Sequence, residues 1–186
     1  MGRMDVATRH RPPPETLGHP VPVQQFVTRT DRAVVALRHV IAFREGCALV
    51  LHLAARRGSM EEREWKDLLA RQVDGDPART PDDGDLRFGV RFPDGTGATT
   101  AGTVPHGRGP AADRPEPPLL TETDATSSSS ERLYEGERRL WLWPLPPPVP
   151  FEFVIDWRAL GIDTATATVD GSAIRRAAEQ AMPYWT

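Results

Sequence analysis

The sequence predicts an all-β fold: an antiparallel β-sandwich of about eight or nine strands, with a short inserted helix and a C-terminal helix. Three observations lead there. Short β-branched or alternating runs recur along the chain, Gly and Pro turns punctuate them, and no βαβ alternation calls for a parallel sheet. At 186 residues the chain suits one domain.

Val21 to Thr30 has the β-branched content of a first strand. Ala33–Arg44 and Cys47–Arg57 are both strand-like, and Glu45-Gly46 joins them. A two-residue turn ending in Gly matches type I′ chemistry, because Gly accepts φ > 0 without a Cβ penalty. That turn pairs Val40 with Leu51, Ala42 with Leu49 and His39 with His52; a longer loop is the alternative, since Glu is a poorer first residue than Asn or Asp. Both faces of the hairpin are apolar, which predicts central strands covered on each side.

Ser59-Met-Glu-Glu62 is a capping-box pattern, and Trp65, Leu68 and Leu69 follow at helical spacing, so a helix is predicted through about Gln72. Asp85–Pro93 alternates strictly, with Leu86, Phe88, Val90 and Phe92 on one face. Pro93-Asp94-Gly95 turns it into a Thr-rich strand near 96–104. Residues 119–125 form a short strand and Ser127–Ser130 a flexible connection. Arg139–Trp143, Phe151–Trp157 and Thr164–Val169 complete the strands. Asp170 then N-caps a helix whose Ile174, Ala177, Ala178 and Ala181 share a face, ended by Pro183. Tyr184 and Trp185 follow as a hydrophobic hook.

Hydrophobic residues make up 39% of the chain, and the deficit is local. Residues 1–20 read as a disordered, basic, Pro-rich tail, with Arg3, Arg9 and Arg11 beside Pro12-Pro13-Pro14. Residues 21–186 read as a single β-sandwich domain with flexible loops near 74–85 and 105–132. Lys66 is the only lysine, so the positive charge is almost all arginine, the mark of a high-GC genome. The net charge of −3 argues against nucleic-acid binding. Charge is uneven, with +5 over residues 1–58 and −8 over the rest. Cys47 is alone, which leaves no disulfide framework and no paired-cysteine zinc site; in an apolar strand it reads as a buried, inert thiol. No secretory signal core and no apolar run of roughly 20 residues is present, so neither a leader nor a membrane span is expected and the cytoplasm is the default compartment.

Catalytic patterns are not found: no G-x-S-x-G elbow, no phosphate-cradling G-x-x-x-x-G-K-[ST] and no H-E-x-x-H. Asp74, Asp76, Asp82, Asp83 and Asp85 lie in one loop without calcium-loop spacing and read as solvated charge. His39 and His52 are the candidate metal ligands. Directly opposed residues have Cβ atoms about 4.5–5.5 Å apart, close enough to share an ion, yet zinc needs three or four ligands and no third is evident. His106 lies in a loop. Pro144–Pro150 has P-x-x-P spacing, which reads either as a polyproline ligand or as a stiff crossover between sheets.

Trp141-Leu-Trp-Pro-Leu-Pro-Pro-Pro148, Phe153-Val-Ile-Asp-Trp157, Gly161-Ile162 and Asp170…Ile174…Ala177-Ala178…Trp185 resemble a family of uncharacterised actinobacterial β-sandwich-like proteins, as do Phe43…Gly46 and Leu86–Gly95. The likeness spans about Val21 to Trp185 in pieces, and the WLWPLPPP block is its most specific part. It implies a shared fold and brings no catalytic residue. The expectation for function is a non-catalytic binding or protein-interaction module with another protein as partner and no cofactor. The alternative is a metal-dependent binder or enzyme centred on the His39/His52 pair.

Overall fold

The computed structural model describes residues 6–73, 82, 84–100 and 116–185, with the backbone alone for Val6, Ala7 and Val73. Residues 74–81, 83 and 105–115 of the expected loops, His106 among them, and residues 101–104 of the expected Thr-rich strand lie outside the described residues.

The fold is all-β and antiparallel. Strands β1 (Thr16–Leu17), β2 (His19–Arg29), β3 (Ala33–Ala42) and β4 (Cys47–Arg56) precede helix α1 (Glu62–Val73). Strands β5 (Arg87–Arg91), β6 (Gly97–Thr99), β7 (Leu119–Ser129), β8 (Leu133–Trp143), β9 (Pro150–Trp157) and β10 (Ile162–Asp170) follow. Helix α2 (Gly171–Ala178) and β11 (Met182–Pro183) complete the described chain. A five-stranded sheet, β2-β3-β4-β8-β7, packs on a four-stranded sheet, β10-β9-β5-β6, and β1 pairs with β11 as a separate ribbon.

Alternation decides which face each strand buries. Val35, Leu37, Leu49, Leu51, Leu53, Leu140 and Leu142 face inward from the larger sheet. Phe88, Val90, Phe151, Phe153, Ile155 and Trp157 meet them from the smaller one. Phe88 stacks on Phe153 with ring centroids 6.1 Å apart, and Phe92 lies 5.2 Å from Phe151. As the apolar hairpin predicts, β4 is the central strand, with Cys47 to Leu51 buried on both faces.

The helices follow their sequence signals, with shifted ends. Asp170 caps α2, its carboxylate accepting from Ser172 N at 2.8 Å and Ala173 N at 3.2 Å. Ile174, Ala177, Ala178 and Ala181 are all buried, as the alanine face predicts. The helix ends at Ala178 and not at Pro183, because the chain must turn to lay Met182–Pro183 beside β1. In α1 the Trp65 N–H bonds the Glu61 carbonyl, which moves the helix start two residues beyond Ser59. Trp65 is buried and its indole donates to the Ser130 carbonyl at 3.0 Å.

Three expectations need correction. Ser127–Ser129 is strand, not flexible connection: these residues pair with Gly136, Glu135 and Tyr134. Ser130 Oγ then accepts from Leu133 N at 3.1 Å and closes the hairpin with a hydroxyl turn. Residues 6–20 of the expected tail are tied down, through Trp141 Nε1 to the Thr8 carbonyl (2.9 Å), Arg9 over the Trp143 ring, and the ladder of Thr16 and Leu17 with Pro183 and Met182. Polar composition hid this because the bonds are to backbone and the apolar area comes from distant tryptophans.

The third correction is the β3–β4 turn. It holds four residues, Phe43 to Gly46, closed by Phe43 N to the Gly46 carbonyl at 2.9 Å, so Ala42 pairs with Cys47. Gly46 is not there for a left-handed backbone. A Cβ on it would collide with the Leu142 carbonyl and come within 2.7 Å of the Trp141 ring. Close approach to β8, not φ, requires glycine here.

Candidate functional surfaces

The new register separates the two candidate ligands. His39 is opposite Val50 and His52 opposite Ala36, with a bulge between Leu37 and His39. Both imidazoles project from the outer face of the larger sheet, but as diagonal neighbours, a relation with about 7–8 Å between positions. Their surroundings are charged. Glu137 pairs across from His52 and takes Arg38 Nη1 at 3.1 Å, with Arg139 4.0 Å from its other oxygen. Partial burial holds the His39 pKa below the ordinary imidazole value, helped by Arg38 and Arg139 and opposed by Glu137. Among the described residues no group of three or more His, Cys, Asp or Glu side chains is placed to hold a metal ion. Cys47 is fully buried, and desolvation pushes its thiol far above the usual range, which makes it a poor nucleophile.

The other end of this outer face is apolar. Phe43, Ala48, Leu119, Trp141 and Trp143 form a second cluster, with Phe43 edge-on to Trp141 at 5.6 Å. The turn at Val6–Arg9 covers it.

Pro144–Pro150 carries the chain from β8 in one sheet to β9 in the other. Helix α2 holds two of its carbonyls: Arg175 Nε donates to Pro146 at 2.8 Å and Ser172 Oγ to Pro148 at 2.7 Å. Leu145 N bonds the Glu45 carbonyl at 2.9 Å. Helix α2 thus clamps the segment as a crossover.

A polar assembly lies inside the sandwich. Arg138, only 3% exposed, projects inward from β8. Its Nη2 donates to Tyr134 Oη at 2.8 Å and to the Gln72 carbonyl near the end of α1 at 3.2 Å, while its Nε faces Glu122 Oε1 at 3.3 Å. Burial raises the Glu122 pKa above the ordinary carboxylate value, with Arg138 opposing. Cationic charge at a helix C-terminus is favourable, so the assembly fastens α1 to the sheet.

The most exposed apolar side chains gather on the β1–β11 ribbon. Leu17, Met182, Tyr184 and Trp185 are 55%, 58%, 56% and 72% exposed. Leu17 pairs with Met182, Tyr184 N donates to the Glu15 carbonyl at 2.8 Å, and the Tyr184 and Trp185 rings stand edge to face 6.4 Å apart. The sequence singles out Tyr184 and Trp185 but not Leu17 or Met182, because nothing local announces that residues 16 and 183 pair. The four side chains expose on the order of 500 Å², given about 150–250 Å² for each aromatic.

Comparison with family models, with curated proteins and with solved structures finds no match for the chain.

Proposed function

We propose that this protein is a non-catalytic protein-interaction module whose contact surface is the β1–β11 ribbon. The observation that carries the reading is the concentration there of four of the seven large exposed hydrophobic residues among those described. Apolar patches of about 300–600 Å² on monomers are often functional, and Tyr and Trp are the side chains enriched at interface hot spots. The area falls short of the roughly 800 Å² per partner of a standard interface. That mismatch suits a partner presenting a short apolar segment better than a broad second surface.

The test is site-specific photo-crosslinking in the native host, with the photoreactive residue at position 184 and, as control, at the exposed Arg158. A discrete adduct at 184, missing at 158 and lost when Trp185→Ala is added, supports the proposal. No adduct at 184, or the same adducts at both positions, refutes it. The rival centred on His39 and His52 has no comparable observation in its favour, since the register sets the pair diagonally.

A further inference from the structure

The segment that covers the Trp141–Trp143 cluster is joined to the sandwich through a strained hinge. Thr8 and Arg9 lie on the cluster, Pro12-Pro13-Pro14 follows, and Glu15 then takes φ +56°. A glutamate in the left-handed region is uncommon and costly, because its Cβ crowds the backbone there. The chain beyond the hinge is pinned. The Glu15 carbonyl accepts from Tyr184 N at 2.8 Å, and Thr16 and Leu17 pair with Pro183 and Met182. Gly18 packs so closely that a Cβ on it would stand 2.6 Å from the Phe43 ring. Rotation about the Glu15 N–Cα bond therefore leaves the ribbon in place and swings everything before it. The three prolines make that arm a stiff lever, since each has its φ fixed by the ring.

The arm is held by contacts that a second copy can supply equally well. Trp141 Nε1 donates to the Thr8 carbonyl at 2.9 Å, and the Arg9 guanidinium lies 5.1 Å from the centroid of the Trp143 ring. The cluster thus takes a backbone carbonyl and, next to it in sequence, a cation over an aromatic face. Every copy of this chain carries both at the same spacing. The cluster does not favour standing empty: Phe43, Leu119, Trp141 and Trp143 are all buried, and lifting the arm would put two tryptophans in water. The arm therefore has two stable places, its own cluster or the equivalent cluster of another copy. Exchange keeps both contacts and relieves Glu15 in each copy. We propose that this protein forms a symmetric dimer by reciprocal exchange of the arm, with Thr8 and Arg9 of each copy seated on Trp141 and Trp143 of the other. The chain from Thr8 to Glu15 reaches up to about 23 Å, enough to cross to an adjoining copy. Tyr184 and Trp185 keep their places in the exchange, so it stands or falls independently of the contact proposed at the ribbon.

Two measurements on the full chain test this. Sedimentation velocity over roughly micromolar to millimolar concentrations reads the association. Isotope-filtered NOEs in an equimolar mixture of labelled and unlabelled protein read which copy each arm sits on. The expected result is a concentration-dependent dimer with NOEs from Arg9 of one copy to the Trp143 ring of the other. Glu15→Gly accepts φ +56° without a Cβ penalty, so it should weaken the dimer by about tenfold or more. Glu15→Val, whose branched Cβ suits that region worst, should strengthen it by a similar factor, about tenfold. Glu15 is exposed, so neither change disturbs the core. A monomer across the whole range overturns the proposal. So does a dimer whose Arg9–Trp143 NOEs stay within one copy, or a Glu15→Gly dimer as tight as the Glu15→Val one.

Discussion

Replacing Arg138 by methionine should destabilise the domain by about 2–4 kcal/mol at neutral pH, and the cost should shrink in acid. The substitution keeps most of the aliphatic stem and removes the guanidinium of a residue that is 3% exposed. Two acceptors lose their donor, Tyr134 Oη and the Gln72 carbonyl, and Glu122 loses its ion-pair partner. A hydrogen bond to a charged group contributes about 1.5–3 kcal/mol, but Glu122 is 38% exposed and can turn to water, so its share is discounted. The pH dependence follows from the sign of the Glu122 shift. Its folded pKa is raised, so the group favours folding below its unfolded pKa and loses that contribution as pH climbs through the folded value. Without Arg138 the folded pKa rises further, so the variant loses more over the same climb. Urea denaturation at about pH 4 and pH 7, on either side of that climb, measures this, and adding Glu122→Gln to the Arg138→Met variant should recover part of the neutral-pH loss. A cost under about 0.5 kcal/mol, the noise of a surface change, would refute the reasoning. So would a gap between variant and parent that narrows as the pH is raised.

Ala178→Arg should cost several kcal/mol, because the 2% exposed methyl faces the core and a buried cation has no partner there, whereas exposed Gln180→Arg should stay within about 0.5 kcal/mol; equal losses in thermal unfolding would place α2 in another rotation. Gly46→Ala should cost about 1–3 kcal/mol from overpacking against β8, despite an unexceptional backbone, and a neutral result would show that the turn yields easily. The His39 imidazole should titrate below its ordinary value, and Arg38→Gln should raise the midpoint by removing a repelling cation and freeing Glu137 from its pair. NMR titration checks this, with a lowered midpoint in the variant as the contrary outcome. Since the folded pKa is depressed, the stability tied to His39 is present above its unfolded pKa and is lost as pH falls through the folded one.

Strand identity was legible wherever side chains alternate, and pairing geometry was not. Leu86 to Phe92 reads inward and outward correctly from sequence, because a half-buried strand must alternate. The β3–β4 register does not, because Gly46 carries two meanings. A glycine in a turn signals a left-handed backbone or a neighbour too close for a Cβ, and only the position of Trp141, nearly a hundred residues away, decides between them. The Ser tract of β7 misleads for a related reason. Serine is a poor strand former in isolation, but pairing with the whole length of β8 supplies the ladder bonds that its side chains do not. Arg138 was legible in principle. It sits in phase with Tyr134, Gly136, Leu140 and Leu142, and a strand extended back to Leu133 would have put an arginine in the core.

The surface proposed for protein contact has an origin that local reading passes over. The ribbon forms where residues 15–17 meet 182–184, and it exists within neither segment alone. Each segment carries an ordinary pattern: a leucine after a Pro-rich stretch, and two aromatics after a helix. What marks the ribbon is a mismatch that arises only on folding. Apolar area stays in water there although the sandwich buries Trp65, Trp141 and Trp157 almost completely. A fold that buries three tryptophans this thoroughly has the means to bury Trp185 as well. That it leaves Trp185 72% exposed is the reason to look for a partner at the ribbon.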